Sequence, residues 1–169
     1  MRGRFHPIDG NLYVSGMRGW VTSAAQDGCL QRVRPTGKPD PLPVAARSYG
    51  NGLLLEFPIA LDPETAQDPG RYRVERWDYQ YRAEYGSPDL LPGRESGEGR
   101  ETLSLHSATL LSDKQLFLEI PDLQPVNQLE IELSIRTADD QPLRFTYVHT
   151  LNYVPAERMD ESRLSRPEP

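Results

Sequence analysis

QLEIELSIR, residues 128–136, alternates polar and apolar side chains at every position and is the clearest indication of the fold. Successive side chains of a β-strand point to opposite faces of the sheet, so this alternation predicts a strand with one buried and one solvated face. The apolar residues Leu129, Ile131, Leu133 and Ile135 are predicted to face a core. A half-buried strand must pair with other strands, and the sequence on both sides of it contains segments that predict them.

Short segments bounded by turns lie on either side of this strand. GNG at 50–52 and SDK at 112–114 predict tight turns, and residues 62–68 predict one helical turn capped by Asp62. Further strands are predicted over 44–49, 53–57, 72–81, 103–111, 115–120 and 143–151. About seven short strands separated by turns predict an all-β chain built as an Ig-like β-sandwich. The immunoglobulin Cys…Trp…Cys signature is absent, so this likeness is one of architecture only.

The chain divides by composition into four parts. Residues 1–36 form a first unit with two predicted strands. Residues 37–43, GKPDPLP, hold three prolines in seven positions and predict a stiff, extended linker. Residues 44–153 contain the predicted sandwich. Residues 154–169 are charged and lack periodicity, which predicts a disordered tail.

The composition excludes several classes of function. The net charge of −6 and the pI near 5.1 argue against a nucleic-acid partner, which favours a basic face. Cys29 is the single cysteine, so the chain forms no internal disulfide and carries no Cys-x-x-Cys-His haem motif. No apolar stretch approaches the ~20 residues of a membrane-spanning helix, and the first residues, MRGRFHP, do not predict a signal peptide.

Two groups of segments resemble a known family. NLYVSGMRGW at 11–20 and DGCLQRVRPTGKP at 27–39 are similar to the end of the β-propeller of planctomycete-type glucose/sorbosone dehydrogenase-like proteins. These are membrane-bound dehydrogenases with a haem-binding cytochrome c domain. The rest of the chain resembles the Ig-like domain that follows this propeller. This second likeness is carried by NGLLLEF at 51–57, LDPETA at 61–66, DP at 68–69, YRV at 72–74, WDY at 77–79, YGS at 85–87 and IPDLQPV at 120–126.

The resemblance implies a non-catalytic C-terminal accessory region of a larger exported protein. Residues 1–36 would be the terminal strands of a propeller blade, and the missing upstream propeller would be their partner. The family implies a periplasmic or extracellular location, and it implies haem c, with a quinone or calcium, as cofactors of the whole protein. None of these cofactors is expected in this chain, and no catalytic residue is carried over. Met1 falls in mid-domain relative to the family, so the chain is expected to be a fragment.

Aromatic residues mark the candidate ligand platform. Trp77, Tyr79 and Tyr81 alternate within the predicted strand 72–81 and would share one face, and Tyr85 follows nearby. An exposed aromatic row stacks on sugar rings, whereas a covered row packs against neighbouring strands. Both interpretations stay open. The first would make the sandwich a self-contained carbohydrate- or protein-binding module, which is the alternative to the accessory role.

The other chemistry-bearing residues are scattered. Three histidines lack metal-ligand spacing and are expected to face solvent. These are His6, His106 and His149. Three carboxylates near the predicted helical turn are explained by helix capping better than by calcium binding. These are Asp62, Glu64 and Asp68. Cys29 is predicted to be a small buried apolar residue, and Ser15 lacks the Gly-x-Ser-x-Gly pattern of hydrolases.

Overall fold

The computed structural model describes residues 2–17, 28–93, 97–160 and 162. The chain forms two compact units, Met1–Pro39 and Asp40–Pro169, named unit 1 and the sandwich below. Apart from a four-residue α-helix and a three-residue 3-10 helix, every regular element of three residues or more in these ranges is a β-strand. The all-β prediction is confirmed. Residues 18–27 of the propeller-like motifs and residues 163–169 of the predicted tail lie outside the described residues.

Unit 1 is a three-stranded antiparallel sheet with the order β1-β2-β3. Its strands are β1 (Arg2–Phe5), β2 (Leu12–Met17) and β3 (Gly28–Val33). The turn between β1 and β2 is held by Asp9, whose carboxylate accepts a hydrogen bond from the Asn11 amide at 2.9 Å. Gly10 takes a φ of 68° in this turn, a conformation that glycine adopts without steric cost. The sequence predicts β2 and β3 but not β1, because RGRF carries no run of apolar residues.

The larger unit consists of two four-stranded antiparallel sheets. One has the order β4-β5-β9-β8 and the other the order β11-β10-β6-β7. The strands are β4 (Ala45–Tyr49), β5 (Gly52–Glu56), β6 (Tyr72–Trp77), β7 (Glu101–Leu103), β8 (Ser107–Ser112), β9 (Gln115–Glu119), β10 (Val126–Arg136) and β11 (Pro142–Leu151). Every pair of neighbours is antiparallel.

Both sheets contribute to one hydrophobic core. The prediction for residues 128–136 is confirmed, because each of the four apolar side chains of this stretch is at most 3% exposed. The facing sheet buries Leu53, Leu55, Leu116 and Leu118, which belong to the same packed cluster as the β10 residues. The two sheets therefore pack face to face as a β-sandwich.

A single helix, α1 (Pro63–Ala66), lies between β5 and β6. Asp62 caps it, as the sequence predicts. The Asp62 carboxylate accepts hydrogen bonds from the Thr65 hydroxyl at 2.7 Å and from the Thr65 amide at 3.0 Å. These two bonds, the hydroxyl bond foremost, hold the pKa of Asp62 below its ordinary value. Capping therefore accounts for the placement of this carboxylate.

Two predicted strands differ from the observed ones. The predicted strand 72–81 ends at Trp77, because Asp78 forms an isolated bridge to Leu90 and the chain then leaves the sheet. The predicted strand 103–111 is two strands, β7 and β8, which belong to different sheets. A crossing between sheets leaves no break in the apolar pattern, so periodicity alone could not locate it.

The expectation of a disordered tail from residue 154 does not agree with the structure over residues 154–160. Met159 is 5% exposed and packs with Tyr49, Leu54 and Phe117 on the outer face of the β4-β5-β9-β8 sheet. The side chain of Asn51 accepts a hydrogen bond from the Met159 amide at 2.7 Å and donates one to its carbonyl at 3.3 Å. This outer face carries an apolar patch of Tyr49, Leu54 and Phe117, and residue Met159 of the tail packs against it.

The sandwich has two opposite ends, which are defined by the strands that start and finish there. The linker end is where residues 40–43 enter, because the Val44 amide donates to the Glu56 carbonyl at 2.8 Å. β5 finishes there, and the connection through α1 starts β6 at the same end. β6 runs away from it and finishes at Trp77, which pairs with Gln128 at the opposite end.

Candidate binding cleft

The loop that follows β6 is pinned at its base by Asp78. The backbone of Asp78 exchanges two hydrogen bonds with Leu90, each 2.8 Å long. Its carboxylate accepts a third from the Asn127 amide at 2.9 Å. The loop therefore leaves the sheet next to the start of β10 and returns to the same point.

The four residues of the predicted platform line one open cleft at this end of the sandwich. The cleft measures about 640 Å³ and contains Trp77, Tyr79, Tyr81 and Tyr85. Tyr79 is 49% exposed, and the Tyr81 and Tyr85 side chains are fully exposed. The sequence places these residues on one strand face, whereas the structure gathers them through the loop. The four aromatic residues do lie together, but the loop brings them together and not the face of a single strand.

Trp77 differs from the three tyrosines because it is covered. It is 8% exposed, and the Arg100 guanidinium lies over its ring, 3.7 Å from the centroid. Arg100 is held there by Asp89 at 2.7 Å and by Glu130 at 3.2 Å. The hydrogen bond that the Arg100 guanidinium donates to the Asp89 carboxylate raises the pKa of Arg100, and the charged group lies over the ring in a cation–π contact. The aromatic surface free to stack on a ligand is that of the tyrosines.

The remaining lining of the cleft is mixed, with Ala83 and Gly86 beside polar and charged side chains. Neutral side chains come from Gln80, Ser87 and Gln128. The loop itself is braced by the Ser87 hydroxyl, which accepts a hydrogen bond from the Gln80 amide at 2.9 Å. Three charged residues also line it, Arg82, Glu84 and Asp89, and Asp89 is paired with Arg100. Such a cleft offers exposed aromatic rings for stacking and polar side chains for hydrogen bonding to a ligand.

The histidines are separated, and one of them lies in a setting that the sequence did not indicate. His6 pairs with Asp9 in unit 1, and His106 is exposed on the sandwich. His149 is half-buried, and burial lowers its pKa. Within residues 2–17, 28–93 and 97–160, no three His, Cys, Asp or Glu side chains form a group that could hold a metal ion.

His149 lies between two hydroxyl groups at an edge of the sandwich. The distance from its Nε2 to the Ser48 Oγ is 3.3 Å, and that from its Nδ1 to the Tyr147 hydroxyl is 3.4 Å. Ser48 is on β4 and His149 on β11, in different sheets, so no sequence motif joins them. Nδ1 lacks the carboxylate partner of a Ser-His-Asp triad, and both contacts are long for hydrogen bonds. This pair joins the two sheets at their edge.

The prediction that Cys29 is buried is wrong. Cys29 is exposed, and every residue of β3 is exposed with it. The apolar setting was inferred from Leu30 and Val33, but both of these side chains are exposed, at 75% and 51%. Burial depends on a second layer, which a two-strand pattern does not specify.

Comparison with known protein families, curated proteins and solved structures gave no match for this chain. In the described part of the chain, no helix has the length and apolar character needed to cross a lipid bilayer.

Proposed function

We propose that this chain is the non-catalytic accessory region of a larger exported dehydrogenase-like haem protein. In this proposal unit 1 supplies terminal strands to a β-propeller, and the sandwich is an Ig-like interaction module. The single observation that carries the proposal is the exposure of the apolar side chains Phe5 and Val33 on one face of the unit 1 sheet, within the residues that the structure describes.

The strand pairing of unit 1 gives its sheet a more apolar face and a more basic face, and Leu30, which is 75% exposed, lies on the basic one. Phe5, Leu12 and Val33 lie side by side across the three strands. Phe5 is 74% exposed and Val33 is 51% exposed. The opposite face carries Arg4 and Arg32 on either side of Tyr13. An amphipathic sheet needs a partner against its apolar face, and a neighbouring sheet would supply one.

The strand order of the sandwich supports the Ig-like part of the proposal. Taken in chain order, β4 to β11 correspond to strands A, B, C, C′, D, E, F and G of an immunoglobulin sandwich. The sheets then have the orders A-B-E-D and G-F-C-C′. The chain carries no haem motif of its own, so haem, a quinone or calcium would be held by the rest of the protein.

The mass of the native protein in its source cells tests the accessory role. An antibody against the sandwich should detect, in the periplasmic or extracellular fraction, a species several times larger than 19.2 kDa. The purified chain should show no dehydrogenase turnover with quinone acceptors. A native species of 19.2 kDa would contradict the accessory role.

The alternative is a self-contained module that binds carbohydrate or protein. The exposure of Tyr79, Tyr81 and Tyr85 in one cleft favours it. A Trp20→Phe background leaves Trp77 as the sole tryptophan and as a reporter within the cleft. Oligosaccharides that stack on the tyrosines should change Trp77 emission in this background and should fail to do so after Tyr81→Ala. No response to a broad panel would remove the carbohydrate version.

A further inference from the structure

The chain that follows β11 passes over the apolar patch of Tyr49, Leu54 and Phe117 on the outer face of the β4-β5-β9-β8 sheet. We propose that residues 155–160 form a strap that opens from this patch while the sandwich stays folded, and that the patch together with the β4–β5 turn is a peptide-binding site for which the strap is the built-in ligand. The proposal goes beyond the accessory role and does not depend on it.

The strap is anchored by one side chain. Met159 is 5% exposed, whereas residues 156–158 and residue 160 are exposed. Leu54 and Phe117 alternate with residues of the core and therefore point away from it, yet they are only 7% and 0% exposed. Met159 belongs to the same packed cluster as these two side chains. The patch is therefore a pocket for a single apolar side chain, and the strap supplies that side chain.

The backbone of the strap is held by the turn between β4 and β5. The Gly50 amide donates a hydrogen bond to the Glu157 carbonyl at 2.6 Å, and the Asn51 side chain bonds both backbone groups of Met159. Arg47 on β4 pairs with the Glu157 carboxylate at 3.0 Å. Main-chain hydrogen bonds combined with a pocket for one side chain are how extended peptides are recognised. The site therefore selects an extended segment with an acidic residue two positions before a methionine.

Gly50 fits closely against the strap. A Cβ atom added at this position would lie 2.7 Å from the carbonyl oxygen of Pro155 and 3.3 Å from that of Glu157, and the three nearest heavy atoms all belong to the strap. The φ of Gly50 lies outside the left-handed region, so its conformation is open to alanine. Gly50→Ala therefore pushes on the strap and spares the turn.

The strap has the properties of a segment that opens locally. Residues 155–160 form no helix or strand. The side chains of its ion pair, Arg47 and Glu157, are each 63% exposed, and such pairs contribute little to stability. Fixing six residues costs conformational entropy, which one buried side chain and a few hydrogen bonds offset only in part. Opening of the strap therefore costs much less free energy than unfolding of β9, which carries core residues.

Hydrogen exchange measured by NMR tests the opening on the unaltered chain. The Met159 amide, which is bonded to Asn51, should exchange much faster than the amides of β9. Gly50→Ala should speed its exchange about tenfold or more and leave β9 unchanged. Gly28→Ala is the matched control, because the nearest neighbour of the added Cβ is the Gly16 carbonyl oxygen at 3.7 Å, and it should exchange like the parent.

Three results would overturn the opening of the strap. The first is a Met159 amide that exchanges as slowly as the β9 amides in the unaltered chain. The second is a Gly50→Ala variant in which the exchange of Met159 is unchanged. The third is a Gly50→Ala variant that speeds exchange in β9 to the same extent or is unfolded, because the strap would then be part of the core.

A labelled peptide of residues 154–160, VPAERMD, tests the binding site on the full chain. In the parent the strap competes with the peptide. Met159→Ala in the chain loosens the strap and leaves the patch intact, so it should raise the affinity for the peptide about tenfold or more in fluorescence anisotropy. Adding Asn51→Ala to this variant should weaken binding again, and a peptide that carries Met159→Ala should not bind.

The peptide-binding site is overturned if the Met159→Ala chain binds no peptide at concentrations up to about 1 mM. Equal binding of the two peptides also overturns it, because the patch would then not recognise the methionine. An affinity that is the same for the parent and for the Met159→Ala chain overturns the role of the strap as the built-in ligand, because no competition would then exist.

Discussion

At the scale of single residues, Asn51 shows how one side chain holds a segment that has no regular structure. It is 2% exposed and offers its amide group to both backbone atoms of Met159. The sequence marks Asn51 as a turn residue, and its spacing gives no sign of a partner 108 positions away.

Replacing Asn51 with alanine should lower the free energy of unfolding by about 1–3 kcal/mol, because the variant leaves the Met159 amide and carbonyl without partners beside a buried apolar cluster. Denaturant unfolding measures the change. Asn152→Ala, at an exposed asparagine, is the control and should lie within about 0.5 kcal/mol of the parent. An equal effect of both variants would contradict the role of Asn51.

Asp62 predicts a pH dependence of stability. Its pKa is lowered in the folded state by the hydrogen bonds from Thr65, so its stabilising contribution is present above the unfolded pKa, near 3.8. That contribution is lost as the pH falls below 3.8 and through the lower folded pKa. Thermal melts between about pH 2 and 6 should therefore show a shallower acid loss for Asp62→Asn than for the parent. Asp139→Asn, at an exposed carboxylate outside the cap, should follow the parent curve.

At the scale of elements, the alternation of β10 translates directly into burial. Its inward side chains meet Val74 on β6 and the leucines of the facing sheet, so one strand contacts both layers of the core. Its outward side chains Glu132 and Ser134 pair with the polar residues Thr146 and Arg144 of β11. One face of the strand therefore carries most of its contribution to stability.

Ile131→Ala should lower the free energy of unfolding by about 2–5 kcal/mol, because the side chain is fully buried and its loss leaves a cavity. Ile131→Val should cost about 0.5–1.5 kcal/mol. Glu132→Ala, one position away on the outward face, is the matched control and should cost less than either. The prediction fails if the inward and outward substitutions cost the same in urea unfolding.

At the scale of the whole molecule, the two units differ in charge and in the depth of their packing. Residues 1–39 contain six Arg and Lys against two Asp and Glu, whereas residues 40–169 contain thirteen against twenty-three. The net charges of the two units have opposite signs and cancel in part in the net charge of the whole chain. The difference between the units is therefore visible only once the unit boundary is known. The sandwich has two sheet layers around a core, while in the described residues of unit 1 the sheet is a single layer.

Hydrogen exchange on the isolated chain should separate the two units. The amides of β2 should exchange far faster than those of β9 and β10, because a single exposed layer opens at little free-energy cost and core strands open only on global unfolding. The measurement is exchange followed by mass spectrometry of peptides from each strand. If the β2 amides were protected from exchange as strongly as those of β10, this would contradict the proposal that unit 1 needs a partner from outside the chain.

Sequence pattern was sufficient for the all-β class, the inward face of β10 and the cap of α1. Each of these follows from a local pattern, either a period of two or a fixed spacing along the chain. The tertiary structure alone decided that β7 and β8 belong to different sheets, that Met159 covers Phe117, that Arg100 covers Trp77 and that Cys29 is exposed. Each of these depends on which surface lies opposite, between residues far apart in sequence. Burial is a property of two surfaces in contact, and a local pattern describes only one of them.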